Sequence, residues 1–315
     1  MKNIILYCIF FVFITLVALL FSHGPLQNSL IVYIPANATV SDISNKLERK
    51  SVIRNPLIIK FFFKLLLKDK KMVAGEFVFP KYNSLLNVIL TITNPNNVYK
   101  RKLTIPEGYT IDQIKKILLE NQYLEGPLPL YIPEGSILPE TYVYYKGDSR
   151  SKIINQMQLA MRKYIEDLWE KRDKNLIYRN INEALTLASI VEKEAILDRE
   201  RALIAGLFIN RLKIRMRLQS DPTVVYGLKN KKYGSPITKK DLQSKHSFNT
   251  YLIYGLPPHP IANPGKESIY AVFFPAKTNH LYFVADGKGG HNFSADLKTH
   301  NDYVRQWRRI EKKNK

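Results

Sequence analysis

The run Ala188-Ser189-Ile190-Val191-Glu192-Lys193-Glu194 places a carboxylate where an amphipathic helix should bury apolar side chains. On a helix advancing about 100° per residue, Glu194 points within roughly 60° of Leu187, Ile190 and Val191, the apolar arc of the segment from Asn182 to Ile196. Glu192 points roughly 160° away from Glu194. A carboxyl withdrawn from water holds its proton more tightly, which suits it to protonate a leaving oxygen near neutral pH. That is what a glycosidase asks of its acid. The plainer expectation is an ion pair, with Glu194 held by a Lys or Arg at the edge of the core, and Glu192 is the second candidate acid.

Three later segments carry more specific information: Phe208-Ile209-Asn210-Arg211-Leu212, Met216-Arg217-Leu218-Gln219-Ser220-Asp221-Pro222-Thr223, and Tyr282-Phe283-Val284-Ala285-Asp286-Gly287-Lys288-Gly289-Gly290-His291. Together with the Glu194 segment they resemble the endolytic murein transglycosylases of the MltG (YceG-like) type, and the resemblance spans essentially the whole chain. It implies a membrane-anchored bacterial enzyme that cuts the bond between N-acetylmuramic acid and N-acetylglucosamine within nascent glycan strands, terminating or releasing them. A hydrolase usually needs two carboxylates. A lytic transglycosylase can use one, because the sugar's own C6 hydroxyl replaces water and closes a 1,6-anhydro ring. Carried over by position, the single acid/base is Glu194. Soluble relatives place Ser after that Glu, whereas Ala195 follows here, so no hydroxyl is expected from that neighbour.

The resemblance also implies that Gln219, Asp221 and Thr223 line the glycan cleft. Read locally, Asp221-Pro222 before Val224-Val225-Tyr226 is equally a helix N-terminus with proline in its first turn, which leaves Gln219 and Thr223 unexplained. Asn249 and Asn263-Pro264 match family segments and are expected to hydrogen-bond acetamido groups, with loop geometry as the competing use. Tyr226, Tyr251 and Tyr254 offer faces for sugars or for core packing. His291 and Phe293 are expected to face the cleft. Asp286-Gly287-Lys288-Gly289-Gly290 lacks the order of a phosphate loop and reads as a hairpin turn.

Other chemistries find little support. Histidines 246, 259, 280, 291 and 300 show no compact ligand spacing, and the only cysteine, Cys8, lies in an apolar run, so no metal, cofactor or disulfide is expected. No GxSxG elbow supports a serine nucleophile.

The elements that must position Glu194 fall into an α+β pattern. Tyr33-Ile34-Pro35, Val78-Phe79-Pro80 and Thr104-Ile105-Pro106 each lead, at the same offset, to Thr39, Ser84 or Thr110 and then to apolar residues at helical spacing. Each unit predicts a strand, a turn and a capped helix. Such units resemble LysM-like modules that bind N-acetyl sugars, although a repeat can exist for stacking alone. Between the first two, Pro56 to Lys71 predicts an amphipathic helix, with Lys60, Lys64 and Lys68 on one face opposite Phe61-Phe62-Phe63 and Leu65-Leu66-Leu67. The expected organisation is an anchor over 1–22, a LysM-like subdomain over 29–98, and a YceG-like catalytic domain over 99–315 that mixes helices with antiparallel sheet.

Ile4 to Phe21 runs 18 residues without a charge, roughly 27 Å of helix, enough to cross a bilayer. No small-x-small cleavage site follows it, so an uncleaved anchor is expected over a signal peptide. Lys2 precedes the run and Asp42 is the first charge after it, which favours a single pass through the bacterial inner membrane with the catalytic domain in the periplasm. Lys and Arg number 48 against 27 Asp and Glu, a net +21 that must attract a polyanion or an anionic surface, unless it reflects a basic proteome as a whole. No nucleic-acid module is present to use it, so anionic lipid and cell-wall carboxylates are the expected partners, with peptidoglycan synthases as neighbours. The main alternative to an enzyme is a membrane-anchored scaffold that holds glycan without cutting it.

Overall fold

In the computed structural model, which describes residues 2–65, 71–228 and 235–313, each of the three expected hydroxyls starts a helix. Thr39 accepts from the backbone N–H of Asp42, Ser84 from Asn87 and Thr110 from Gln113. Asp42 and Gln113 return the bond to the cap backbone, so two of the three ends are capping boxes.

The chain divides into two units, and the division is not linear: Met1–Lys102 groups with Val143–Asp148, and Leu103–Tyr142 with Ser149–Lys315. The first unit begins with α1 (Lys2–Phe21), an apolar helix long enough to cross a membrane. Then follow β1 (Leu30–Ile34), α2 (Val40–Arg49), α3 (Pro56–Leu65), β2 (Gly75–Phe79) and α4 (Leu85–Thr93). β1 and β2 are antiparallel, with Val32 opposite Phe77. Alternation sends Val32 and Ile34 of one strand, and Phe77 and Phe79 of the other, into a core with Leu47, Ile59 and Ile92. Ile59, Phe62 and Phe63 of α3 join this core, while Lys60 reaches Asn45 at 3.2 Å. Leu66, Leu67 and Lys68 of the expected helix lie outside the described residues.

β3 (Arg101–Thr104) closes this part of the chain, and α5 (Ile111–Glu120) opens the second unit. There the end of β3 lies beside the start of β4 (Thr141–Tyr144), with Thr104 and Thr141 sharing a hydroxyl bond of 2.9 Å. The remaining elements are α6 (Arg150–Lys171), α7 (Ile181–Glu194), α8 (Arg201–Lys213), α9 (Asp221–Gly227), α10 (Lys239–Leu242), α11 (Lys266–Phe273), β5 (Tyr282–Ala285), β6 (His291–Ser294) and α12 (Leu297–Lys313). β5 and β6 form the expected antiparallel hairpin. Its turn places Gly287 and Gly289 at φ of +79° and +92°, and the Asp286 carboxylate accepts from the N–H groups of Lys288 and Gly290.

α7 lies at the centre of this unit's core. Leu187, Ile190 and Val191 pack with Ile204, Leu207 and Phe208 of α8, Ile269 and Val272 of α11, and Met161 and Ile165 of α6. Every residue from Thr186 to Val191 is buried, so the middle of α7 is enclosed on all sides rather than amphipathic. α8 approaches the chain after α11 just as closely: the Ala276 N–H donates to Ala202 at 3.0 Å, and a methyl on Gly206 would overlap the Ala276 carbonyl oxygen. Gly206→Ala is therefore expected to destabilise the protein, because about 1–3 kcal/mol of overpacking exceeds the roughly 1 kcal/mol of helix propensity gained. Urea unfolding is the check, and an unchanged or raised midpoint would show that the backbone gives way freely.

Candidate active site

α7 ends on Glu194, since the Ala195 N–H closes the last turn on Val191. A carboxylate there faces the negative end of the helix dipole, which disfavours its ionised form. Burial acts in the same direction and is the largest influence, pushing the Glu194 carboxyl up to about 7. Asp221 raises it further, whereas a hydrogen bond from Ser220 and the charge of Arg211 pull it down. The Ser220 Oγ–H donates to Glu194 Oε1 at 2.6 Å. The hydroxyl that Ala195 does not supply thus comes from another segment of the chain.

The Ser220 loop is tightly held. Gln219 adopts a φ of +51° and donates its N–H to the Thr250 carbonyl at 3.1 Å. A left-handed backbone is unusual for a residue with a side chain, and it turns Ser220 inward. The Ser220 N–H donates to Thr250 Oγ1 at 2.9 Å, and Thr223 Oγ1 donates to the Ser220 carbonyl at 2.6 Å. Asp221 opens α9 at the surface and accepts from the Tyr251 hydroxyl at 2.6 Å. Burial and this bond raise the Tyr251 phenol, so it stays a donor. Arg211, buried in α8, donates to the carbonyls of Leu218 and Leu281, both at 2.6 Å, and so fixes the approach to the loop.

Facing along α7 does not separate Glu192 from Glu194, because both are partly buried; their partners do. The Glu192 side chain is only 7% exposed, yet it lies 3.6 Å from the Arg201 guanidinium and accepts from the Gly265 N–H at 3.0 Å. The ion pair expected as the plain use of a helix Glu belongs to Glu192. Glu194 has a hydroxyl for a partner and a carboxylate, Asp221, for a neighbour.

Among the expected substrate contacts, the structure brings Gln219 and Asp221 to the surface next to Ser220. It places three others inside the protein. Thr223 is fully buried and bonds Ser220 and Thr250. Asn249, also fully buried, donates to the carbonyls of Leu242 and Ser244 and accepts from the Tyr251 N–H, which shapes the Tyr251 loop. Asn263, equally buried, donates to the Tyr109 carbonyl and Glu134 and accepts from the Ile137 N–H. Their polar groups face protein because each closes a loop that has no ladder partner. His291 is held by protein as well: Glu200 bonds both its Nδ1, at 2.7 Å, and its backbone N–H, at 3.0 Å, and this holds the hairpin. Tyr226 packs its ring against Phe248 and His259 and donates its hydroxyl to Glu134 at 3.2 Å.

Glu134 is the group that sequence reasoning missed. Burial raises its carboxyl to about 7 in spite of bonds from the Ile111 N–H and the Tyr226 hydroxyl. Its only sequence signal is an acid between Pro133 and Gly135 in an otherwise apolar stretch. Among the described residues, no group of three or more His, Cys, Asp or Glu side chains gathers where a metal ion could be held.

Comparison with known proteins adds to this geometry. The family described as YceG-like matches residues 32–306. The chain is 31% identical over 301 residues to the endolytic murein transglycosylase of Bacillus subtilis (strain 168), covering 86% of this chain and 82% of that protein. It is 29% identical over 318 residues to the endolytic murein transglycosylase of Streptococcus pneumoniae serotype 2 (strain D39), covering 86% of this chain but only 57% of that protein. The crystal structure of a YceG-like protein from Listeria monocytogenes is similar with a TM-score of 0.55 and 33% identity, over 87% of this chain and 98% of that one.

Proposed function

The chain belongs to the YceG-like family, and from that premise we propose that it is a lytic transglycosylase that cuts peptidoglycan within its glycan strands, with Glu194 as the sole acid/base. The observation that carries this reading is the setting of Glu194: a partly buried carboxyl at a helix C-terminus, raised to about 7, with one hydroxyl bonded to it. Such a group still holds its proton near neutral pH and can give it to the glycosidic oxygen between N-acetylmuramic acid and N-acetylglucosamine. The Ser220 hydroxyl then stabilises the carboxylate left behind. As the oxocarbenium-like centre develops, the C6 hydroxyl of the muramic sugar attacks it, and the Glu194 carboxylate takes the proton from that hydroxyl. The 1,6-anhydro ring closes and the acid is restored.

Gln219 and Asp221 are proposed as contacts to the strand from the exposed side of the Ser220 loop. The β1-α2-α3-β2 arrangement supports a LysM-like glycan-holding module over 29–98, ahead of a catalytic domain over 99–315. α1 supports a single-pass anchor in the inner membrane with the catalytic domain on its periplasmic side, close to nascent strands and their synthases.

The test is product chemistry. Incubated with purified peptidoglycan, the protein is expected to release fragments from within strands that end in 1,6-anhydromuramic acid, identified by mass spectrometry. New ends reducible by borohydride would make it a hydrolase, and the absence of any new end would favour a glycan-holding scaffold. The rate is also expected to fall as pH rises through about 7, because the proton to be donated is lost from Glu194 there. Ser220→Ala removes a bond that lowers the Glu194 carboxyl, so the alkaline limb should move to higher pH; a limb that stays in place would separate Ser220 from the titrating acid.

A further inference from the structure

We propose that the cavity at the amino end of α7 is a second saccharide subsite, which holds an N-acetylated sugar of the bound strand some units away from the bond at Glu194. The inference rests on reading the chain as a glycan-cutting enzyme. The cavity measures about 550 Å³, within the range of ligand pockets, and it is bounded by Asn180, Asn182, Glu183, Thr186 and Tyr254. This lining suits a sugar, which offers an apolar ring face for an aromatic and hydroxyl and acetamido groups for amides and carboxylates.

Tyr254 is 65% exposed, an unusual position for a large ring that has no core to fill. The Arg217 guanidinium lies over it at 4.7 Å and fixes its orientation, and Arg217 Nε has no protein partner although it is buried. On the opposite side, Asn182 is exposed on the first turn of α7 and its amide bonds no other side chain among the described residues. Asn180 uses its side-chain oxygen to cap the helix, accepting from the Glu183 N–H at 3.0 Å. Glu183 is kept in place by Arg179, at 2.6 Å.

Three stretches of chain join this cavity to the acid. Glu183 and Glu194 are 11 residues apart, so they lie on one side of α7 within about 20° and roughly 16 Å apart along its axis. Tyr251 bonds Asp221 beside the acid, and Tyr254 of the same loop walls the cavity. Arg217 covers Tyr254, and Ser220, on the same approach to α9, bonds Glu194. A strand whose scissile bond sits at Glu194 therefore passes over the exposed Asp221 and the Tyr251–Tyr254 loop into the cavity, since the middle of α7 is buried.

The test uses the full-length protein in detergent and peptide-free glycan strands fractionated by length. Cleavage by wild type, Tyr254→Ala and Asn182→Ala is compared on long and short strands, with binding of long strands measured in the Glu194→Gln background. The variants are expected to lose about tenfold more on long strands than on short ones, in KM rather than kcat, and Glu194→Gln/Tyr254→Ala should bind long strands about tenfold more weakly than Glu194→Gln. Equal losses at both lengths, no loss on long strands, or a loss confined to strands that keep their stem peptides would each overturn the subsite. Failure of wild type to cut any strand would count against the proposed activity instead, and the binding arm would still decide the subsite.

Discussion

Glu194→Gln should fold normally and lose cleavage by about 10³- to 10⁴-fold, the upper part of the range for a general acid, because in the proposed mechanism one group serves both proton transfers. The substitution is nearly isosteric, and the amide oxygen can still accept from Ser220. Neither the enclosed packing of α7 nor the Ser220 loop depends on the charge. The measurement is cleavage of purified peptidoglycan, alongside circular dichroism and urea unfolding for both proteins. Matching spectra with undiminished activity would remove Glu194 from the mechanism.

Arg201→Met should act on stability instead, with a loss of about 3–5 kcal/mol. The Arg201 side chain is 11% exposed and donates to Ser268 at 2.9 Å; it lies 3.1 Å from Asp198, 3.6 Å from Glu192 and 3.9 Å from Glu107. Removing it withdraws the guanidinium from Glu192, whose side chain is nearly buried, and leaves Glu107, already raised by burial and by Glu192, with less opposing charge. Glu192→Gln can still accept from the Gly265 N–H and is expected to keep most of the cleavage activity. Urea unfolding of both variants is the check. A loss under about 1 kcal/mol for Arg201→Met would show that this ion cluster behaves like an exposed one.

Local signals were the most legible part of the sequence. Thr39, Ser84 and Thr110 announce their helices because a cap and the turn it closes lie within four residues, and the turn at Asp286 is legible for the same reason. The position of α7 was harder to read. Its sequence shows polar residues at Thr186 and Ser189, which suggests a solvated face, yet both are buried. Thr186 donates to the Asn182 carbonyl and Ser189 to that of Thr186, each at 2.7 Å, so their hydroxyls are satisfied within the helix and the polar pattern carries no exposure signal. Glu134 and the Ser220 bond to Glu194 depend on loops that meet only in the folded unit, and residue spacing cannot show them. The buried threonine and asparagines are a related case, since a side chain that closes a loop looks, as sequence, like one that greets a ligand.

Ser220 and Glu194 stand 26 positions apart in the chain, and the loop that joins them is itself pinned by Thr250. The proton affinity of the acid is therefore a property of assembled tertiary structure, and no short peptide around Glu194 possesses it. A newly made or half-unfolded copy carries only an ordinary, ionised glutamate there. Damage to the fold should silence the enzyme rather than release an uncontrolled cutter, a built-in safeguard for a protein whose proposed work is to break the wall that encloses the cell.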